Sequence, residues 1–198
     1  MNKKIKKGDY LDTLLRSKKT VFSTKDITLL WGDPNPAAAR VRLNYYLKKK
    51  KLMHILHGLY SKDENYNKYE LSNKILSPSY VSFETVLGAS GITFQYYGQI
   101  FAASHMKKDI ICDGQEYSFR TIKRSVLINP IGVDQSEEYS IATKERAFLD
   151  TIYRSKDYHF DNLSPLDWDK VFEILPIYGN KRMEKKARKY FEYYQSVK

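Results

Sequence analysis

Asn35-Pro36-Ala37-Ala38-Ala39-Arg40-Val41-Arg42-Leu43-Asn44-Tyr45-Tyr46-Leu47-Lys48-Lys49-Lys50-Lys51 carries its own start signal, two unlike faces and a cationic exit. Asn35 can cap a helix, and Pro36 suits the first helical position, where no amide donor is missed. The pattern predicts a helix to about Lys50. At 100° per residue, Ala39, Leu43, Tyr46 and Leu47 fall on one side, a core face. Ala37, Ala38, Arg40, Val41, Asn44, Tyr45 and Lys48 fall on the other. That second side has what a helix entering a DNA major groove needs. The alanines allow close approach and can touch a thymine methyl. Arg40 can pair with guanine or with phosphate, and Asn44 matches adenine. Lys48 lies near the helix end, where a phosphate is its natural partner. Arg42, on the border of the two faces, can anchor phosphate or lie over the core.

Working outward, the preceding residues predict two shorter helices. Tyr10, Leu11, Leu14 and Leu15 make an apolar stripe, and Ser23 with Asp26 makes a capping arrangement ahead of Ile27, Leu30 and Trp31. Gly32-Asp33-Pro34 stops the second helix. After the quoted stretch, Leu52 to Leu56 and Leu59-Tyr60-Ser61 read as strands joined by His57-Gly58. Helix, helix, tight turn, helix and hairpin in this order predict a winged helix-turn-helix over residues 1–72. Lys48, Lys49, Lys50 and Lys51 then stand at the root of the wing, where flanking phosphates run, although a helix C-terminus also favours Lys through its dipole. His57 at the turn is either a neutral phosphate or minor-groove contact or simply exposed.

Charge is distributed to match. The net charge of the 198 residues is +11. Residues 1–75 carry 17 basic and 7 acidic side chains, whereas residues 76–198 carry 17 and 16. A concentrated positive segment attracts a polyanion and releases its counterions; lysines serving only solubility would be spread evenly. The last twenty residues, with 7 basic and 2 acidic, are the exception in the second half.

Residues 73–198 predict a mixed α+β domain, because strand-like runs precede helices. Ser79 or Ser82 opens a short helix bearing Phe83, Val86 and Leu87 and ending at Gly91. Strands are expected at 99–103, 109–111, 117–122, 126–128 and 139–142. Thr143 caps a helix with Ala147, Phe148, Leu149 and Ile152 inward. Ser164-Pro165 opens another with Trp168, Val171, Phe172 and Leu175 inward, and a basic, aromatic helix begins near Asn180. Its aromatic residues either pack on the domain or, with the lysines and arginines, meet nucleic acid.

Several functions are disfavoured by inventory. No Walker-type loop, His-Glu-x-x-His or Gly-x-Ser-x-Gly elbow is present, so no enzyme is expected. His54 and His57 lack further ligands, and Cys112 on an apolar run reads as a small buried hydrophobe, so neither metal nor cofactor is expected. No apolar run reaches the length of a bilayer span, and Met1 to Gly8 lack the apolar stretch of a signal peptide, so a cytoplasmic protein is expected.

Three elements resemble the AbiEi family, antitoxins of type IV toxin–antitoxin (abortive infection) systems. They are Leu56-His57-Gly58-Leu59-Tyr60, then Leu76-Ser77-Pro78-Ser79-Tyr80-Val81-Ser82-Phe83-Glu84-Thr85-Val86-Leu87 with Gly91, and Ile141-Ala142-Thr143-Lys144-Glu145-Arg146-Ala147-Phe148-Leu149-Asp150. The resemblance implies a DNA-binding autorepressor acting at inverted repeats in its promoter, and a C-terminal domain that counteracts a nucleotidyltransferase-like toxin without needing a stable complex. The alternative is a toxin-neutralising interaction protein whose DNA binding is incidental. The Pro-Ser-Tyr-Val-Ser element reads as a junction that opens a helix.

Overall fold

The computed structural model describes residues 9–32 and 35–197. The reading of Met1 to Gly8 and the helix-stopping role of Asp33-Pro34 fall outside those residues. Contacts divide the chain into two units, Met1–Ile75 and Leu76–Lys198. Both mix helices with sheet, so the chain is α+β.

The first unit runs α1 (Asp9–Arg16), β1 (Val21–Ser23), α2 (Thr24–Trp31), α3 (Pro36–Lys48), β2 (Met53–Leu56), β3 (Leu59–Ser61) and α4 (Lys68–Ile75). Its strands form an antiparallel sheet in the order β1-β3-β2. The expected capping box is present. Ser23 Oγ accepts from the Asp26 amide at 3.1 Å, while Asp26 Oδ2 accepts from the Ser23 amide at 2.8 Å. Gly32 closes α2 in the left-handed conformation at φ 57°. Leu14, Phe22, Ile27, Trp31, Ala39, Leu43 and Leu52 form the core, with Tyr46, Leu47 and Leu30 packed against it. Leu15 departs from the expected stripe and is 49% exposed; it stands about 100° round the helix from Leu14, which takes the inward position. β1 was not anticipated, because three residues are too few to show alternation. Nor was α4, which runs through the expected boundary at 72/73. Glu70 on α4 accepts from the Thr20 amide at 2.8 Å and the Thr20 hydroxyl at 2.7 Å, which ties α4 to the start of β1.

The second unit runs β4 (Ser79–Val81), α5 (Glu84–Ala89), β5 (Ile100–Ser104), β6 (Lys108–Cys112), β7 (Gln115–Thr121), α6 (Arg124–Leu127), β8 (Val133–Gln135), β9 (Ser140–Ala142), α7 (Lys144–Arg154), α8 (Trp168–Ile174), a 3-10 turn (Leu175–Tyr178) and α9 (Lys181–Ser196). The sheet order is β6-β7-β5-β4-β9-β8, with parallel β4/β9 and β5/β7 pairs. Three expectations are corrected. Ser79 lies in a strand and Ser82 does not cap α5, because Ser82 Oγ donates to the buried Asp150 carboxylate at 2.8 Å. Residues 126–128 belong to the helical turn of α6 and its cap; an apolar triplet has no periodicity to tell helix from strand. α8 starts at Trp168 rather than Ser164, since Asp167 Oδ1 accepts from the amides of Asp169 and Lys170.

The ring of Trp168 meets those of Phe148, Phe191 and Tyr194, and Tyr190 packs on Phe148 and Phe160. These aromatic residues of α9 are therefore packing groups, leaving Lys181, Arg182, Lys185, Arg188 and Lys189 exposed. At the centre of the unit, Arg146 and Asp150 are both fully buried. Arg146 Nε donates to Asp150 Oδ1 at 3.3 Å, and its other nitrogens donate to Tyr80 Oη and to the carbonyls of Val126 and Ile131. Tyr178 and Tyr80 donate to Asp150 at 2.6 and 2.9 Å. Each side-chain nitrogen of Arg146 and each carboxylate oxygen of Asp150 thus has a partner, which burial of two charges requires. No described helix is long and apolar enough to cross a membrane.

Candidate nucleic-acid interface

α3 is set by its ends. Asn35 Oδ1 accepts from the Ala37 amide at 2.9 Å, and Pro36 occupies the first turn. Its thirteen residues span about 20 Å, enough to cross a major groove. The exit is a Schellman motif: the Lys50 amide donates to the Leu47 carbonyl at 3.0 Å and the Lys51 amide to that of Tyr46 at 2.9 Å. Lys50 takes the left-handed position at φ 53°, where glycine is the usual residue. The expected helix end near Lys50 is thus shortened to Lys48, and the lysine run turns away from the axis instead of extending it.

The two faces separate as their spacing predicts. Ala39 and Leu43 are 2% and 3% exposed and pack in the core. Asn35, Ala37, Arg40, Val41, Asn44, Tyr45 and Lys48 are exposed, and Ala38 is half-buried. Lys49, Lys50 and Lys51 are exposed beyond the helix. Arg42 takes the second of its two options: its guanidinium lies 3.6 Å from the centre of the Tyr10 ring and 5.3 Å from that of Trp31, so it covers the core edge.

The exposed face is divided in a way that helical spacing alone does not reveal. One half is polar, with Arg40, Asn44 and Lys48. Toward α1, Ala38, Val41 and Tyr45 join Tyr10 and Leu11 in lining an open groove of about 890 Å³. Val41 is 72% exposed and Tyr45 57%, so both stand at the surface. The groove itself is not legible in α3, because its second wall comes from a different helix.

The β2–β3 hairpin turns at His57-Gly58, with Gly58 at φ 74°. The Gly58 carbonyl accepts from the Thr24 amide at 3.1 Å, so one of the open donors at the start of α2 holds the turn. His57 is exposed at this turn, and the His54 ring packs against Tyr60 on the neighbouring strand. A register irregularity between His54 and Leu56 bends β2.

Electrostatics around the site are simple. Asp26 has a distinct state. Burial alone would raise its carboxyl, but Lys74 at 2.7 Å and the hydroxyl and amide of Ser23 outweigh that and hold it below the ordinary carboxylate range. Asp26 is thereby held in the capping box and in the ion pair with Lys74. No trio of His, Cys, Asp or Glu among the described residues converges as a metal site would require.

In the second unit, sequence reasoning passed over the Tyr80, Ser82, Arg146, Asp150 and Tyr178 cluster. Two signals for it were present: Arg146 and Asp150 stand one helical turn apart, and Tyr80 and Ser82 alternate along a strand so that both reach Asp150. The cluster is sealed from solvent and holds α6, α7 and β4 together. It also passed over a basic pocket lined by residues of α7 and α9. No protein-family profile matches the chain, and no curated protein sequence is significantly similar to it.

Proposed function

We propose that residues 1–75 form a winged helix-turn-helix that binds duplex DNA, with α3 as the reading helix and β2–β3 as the wing. The observation that carries this reading is the exposed Arg40, Asn44 and Lys48 side of a helix whose opposite side is buried, followed at once by three more exposed lysines, Lys49 to Lys51. Arg40 and Asn44 have the donor and acceptor patterns for base edges, and the lysines supply the salt-sensitive term. The protein acts as a transcriptional autorepressor and as the antitoxin of a type IV toxin–antitoxin pair, counteracting a nucleotidyltransferase-like toxin. This second part rests on the resemblance of the three quoted elements to the AbiEi family.

The test is a gel-shift series on the DNA upstream of the protein's own reading frame. Arg40→Ala and Asn44→Ala should reduce the preference for that DNA over a scrambled duplex, whereas Lys49→Ala and Lys51→Ala should weaken binding to both alike. Indifference to all four changes would contradict the reading. For the antitoxin role, co-expression with the product of the neighbouring reading frame should restore growth that the product alone arrests.

The alternative, a toxin-neutralising protein with incidental DNA binding, is favoured by one feature of the second unit: Phe94 and Tyr96 are 71% and 90% exposed on the segment after α5. Exposed aromatic rings are common anchors of protein interfaces. Loss of growth rescue in Phe94→Ser/Tyr96→Ser, with promoter repression unchanged, would assign neutralisation to that segment.

A further inference from the structure

The second unit has a concave site of about 340 Å³ between the C-terminal end of α7 and the first turns of α9. Arg154, Lys156, Arg182 and Lys186 line it with Ser155 and Asn180, and no carboxylate is among its lining residues. We propose that this pocket binds a compact, multiply charged oxyanion, the phosphoryl groups of a small phosphate ester or polyphosphate.

Two of the four cations are held in place by the fold. Lys186 Nζ donates to the carbonyls of Ile152, at 3.0 Å, and Ser155 at the end of α7. Arg154 Nη1 donates to the Thr121 carbonyl at 2.7 Å. Both positive charges are therefore fixed at the pocket wall before any ligand arrives, which lowers the ordering cost of binding. Arg154, Lys156 and Arg182 are exposed, and Lys186 is half-buried. Burial, and next the charge of Arg182, push the Lys186 ammonium below its ordinary value, and nearby Asp157 opposes this only in part. Unrelieved repulsion among converging cations is what an anion would remove. Asp157 and Glu184 lie close in the chain, but neither lines the pocket.

The shape selects the source of the phosphate. A duplex presents singly charged phosphates on a convex cylinder, whereas a pocket of this volume lies in the range of small-ligand sites. Arginine recognises phosphoryl oxygens through paired N–H donors, and lysine through a point charge. The proposal is independent of the DNA-reading role of α3, which belongs to the other unit.

Isothermal titration of the full chain with inorganic tripolyphosphate in 0.15 M NaCl tests it. Arg182→Ala and Lys156→Ala should each weaken binding at least fivefold, with helical content by circular dichroism unchanged. Lys189→Ala, an exposed cation of α9 outside the pocket, should change it less than twofold. Three outcomes overturn the proposal: no saturable binding, a Lys189→Ala effect as large as that of Arg182→Ala, or displacement of tripolyphosphate by a 20-base-pair duplex with both pocket variants losing duplex affinity equally. The last would make these residues part of a nucleic-acid surface.

Discussion

Lys50→Gly separates stability from DNA affinity in a single change, because the two should move in opposite directions. Lys50 occupies the left-handed position of the Schellman motif at φ 53°. A side chain there costs about 1–2 kcal/mol relative to right-handed backbone, and glycine escapes that cost. Part of the gain is offset by the larger unfolded-state freedom of glycine, roughly 0.5–1 kcal/mol. The net expectation is a stabilisation of about 0.5–1 kcal/mol. For a transition of a unit of this size, that corresponds to a rise in Tm of about 4 °C. The same change removes one exposed charge from the run that follows α3. If Lys50 meets a phosphate, the slope of log affinity against log salt should fall by about 0.9, which weakens binding about fivefold near 0.15 M salt. Thermal unfolding by circular dichroism and fluorescence anisotropy on a labelled duplex from 50 to 300 mM KCl measure the two effects. Lys50→Gln, which removes the charge but keeps the strain, should lose the affinity without the gain in Tm. A Lys50→Gly protein that is less stable than the parent would refute the capping argument, and one that binds with unchanged salt slope would refute the phosphate contact.

Other outcomes follow from the same geometry. Ser23→Ala should destabilise the first unit by about 1 kcal/mol in urea titration, because Ser23 Oγ no longer accepts from the Asp26 amide or donates to the Asp26 carboxylate, while the backbone amide of residue 23 keeps its bond to Asp26. Asp26 is held below its unfolded value, so its contribution is present above about pH 4 and is lost as pH falls through the folded-state value; acid unfolding of Lys74→Met should consequently begin at higher pH than in the parent. Asp150→Ala should cost about 3–5 kcal/mol or prevent folding of the second unit, since it leaves the fully buried Arg146 guanidinium without its carboxylate. Soluble yield and chemical unfolding check this, with Tyr178→Phe, which loses one hydrogen bond to Asp150, expected to fold at a cost of about 1–2 kcal/mol.

Legibility in the sequence followed the range of the interactions. Caps formed by residues two or three apart were readable: Ser23 with Asp26, Asn35 with Ala37 and Thr143 with Arg146 all occur as hydrogen bonds. The inward and outward sides of α3 were readable too, since a thirteen-residue helix shows its period. Short elements were readable only where a turn or a cap marked them, as for β3 after His57-Gly58 and β9 before Thr143; the others were not. β1 and β8 have three residues each, and the helical turn of α6 has four, too few to display either period. Long-range chemistry was also hidden. Ser82 reads as a helix cap until Asp150, 68 residues away, claims its hydroxyl. The groove beside Val41 and Tyr45 needs α1 as its second wall, and the basic pocket needs both α7 and α9. Arg42 had two local options, and the aromatic rings of Tyr10 and Trp31 decided between them.

Selection of bound sequences from a randomised duplex library tests most directly whether the exposed side of α3 reads bases. The parent protein should enrich a defined motif, and Arg40→Ala/Asn44→Ala should lose preference at particular positions of it, each worth about 1–3 kcal/mol, while still retaining salt-sensitive binding. Enrichment of the same motif by the double variant, or of no motif by the parent, would contradict the account.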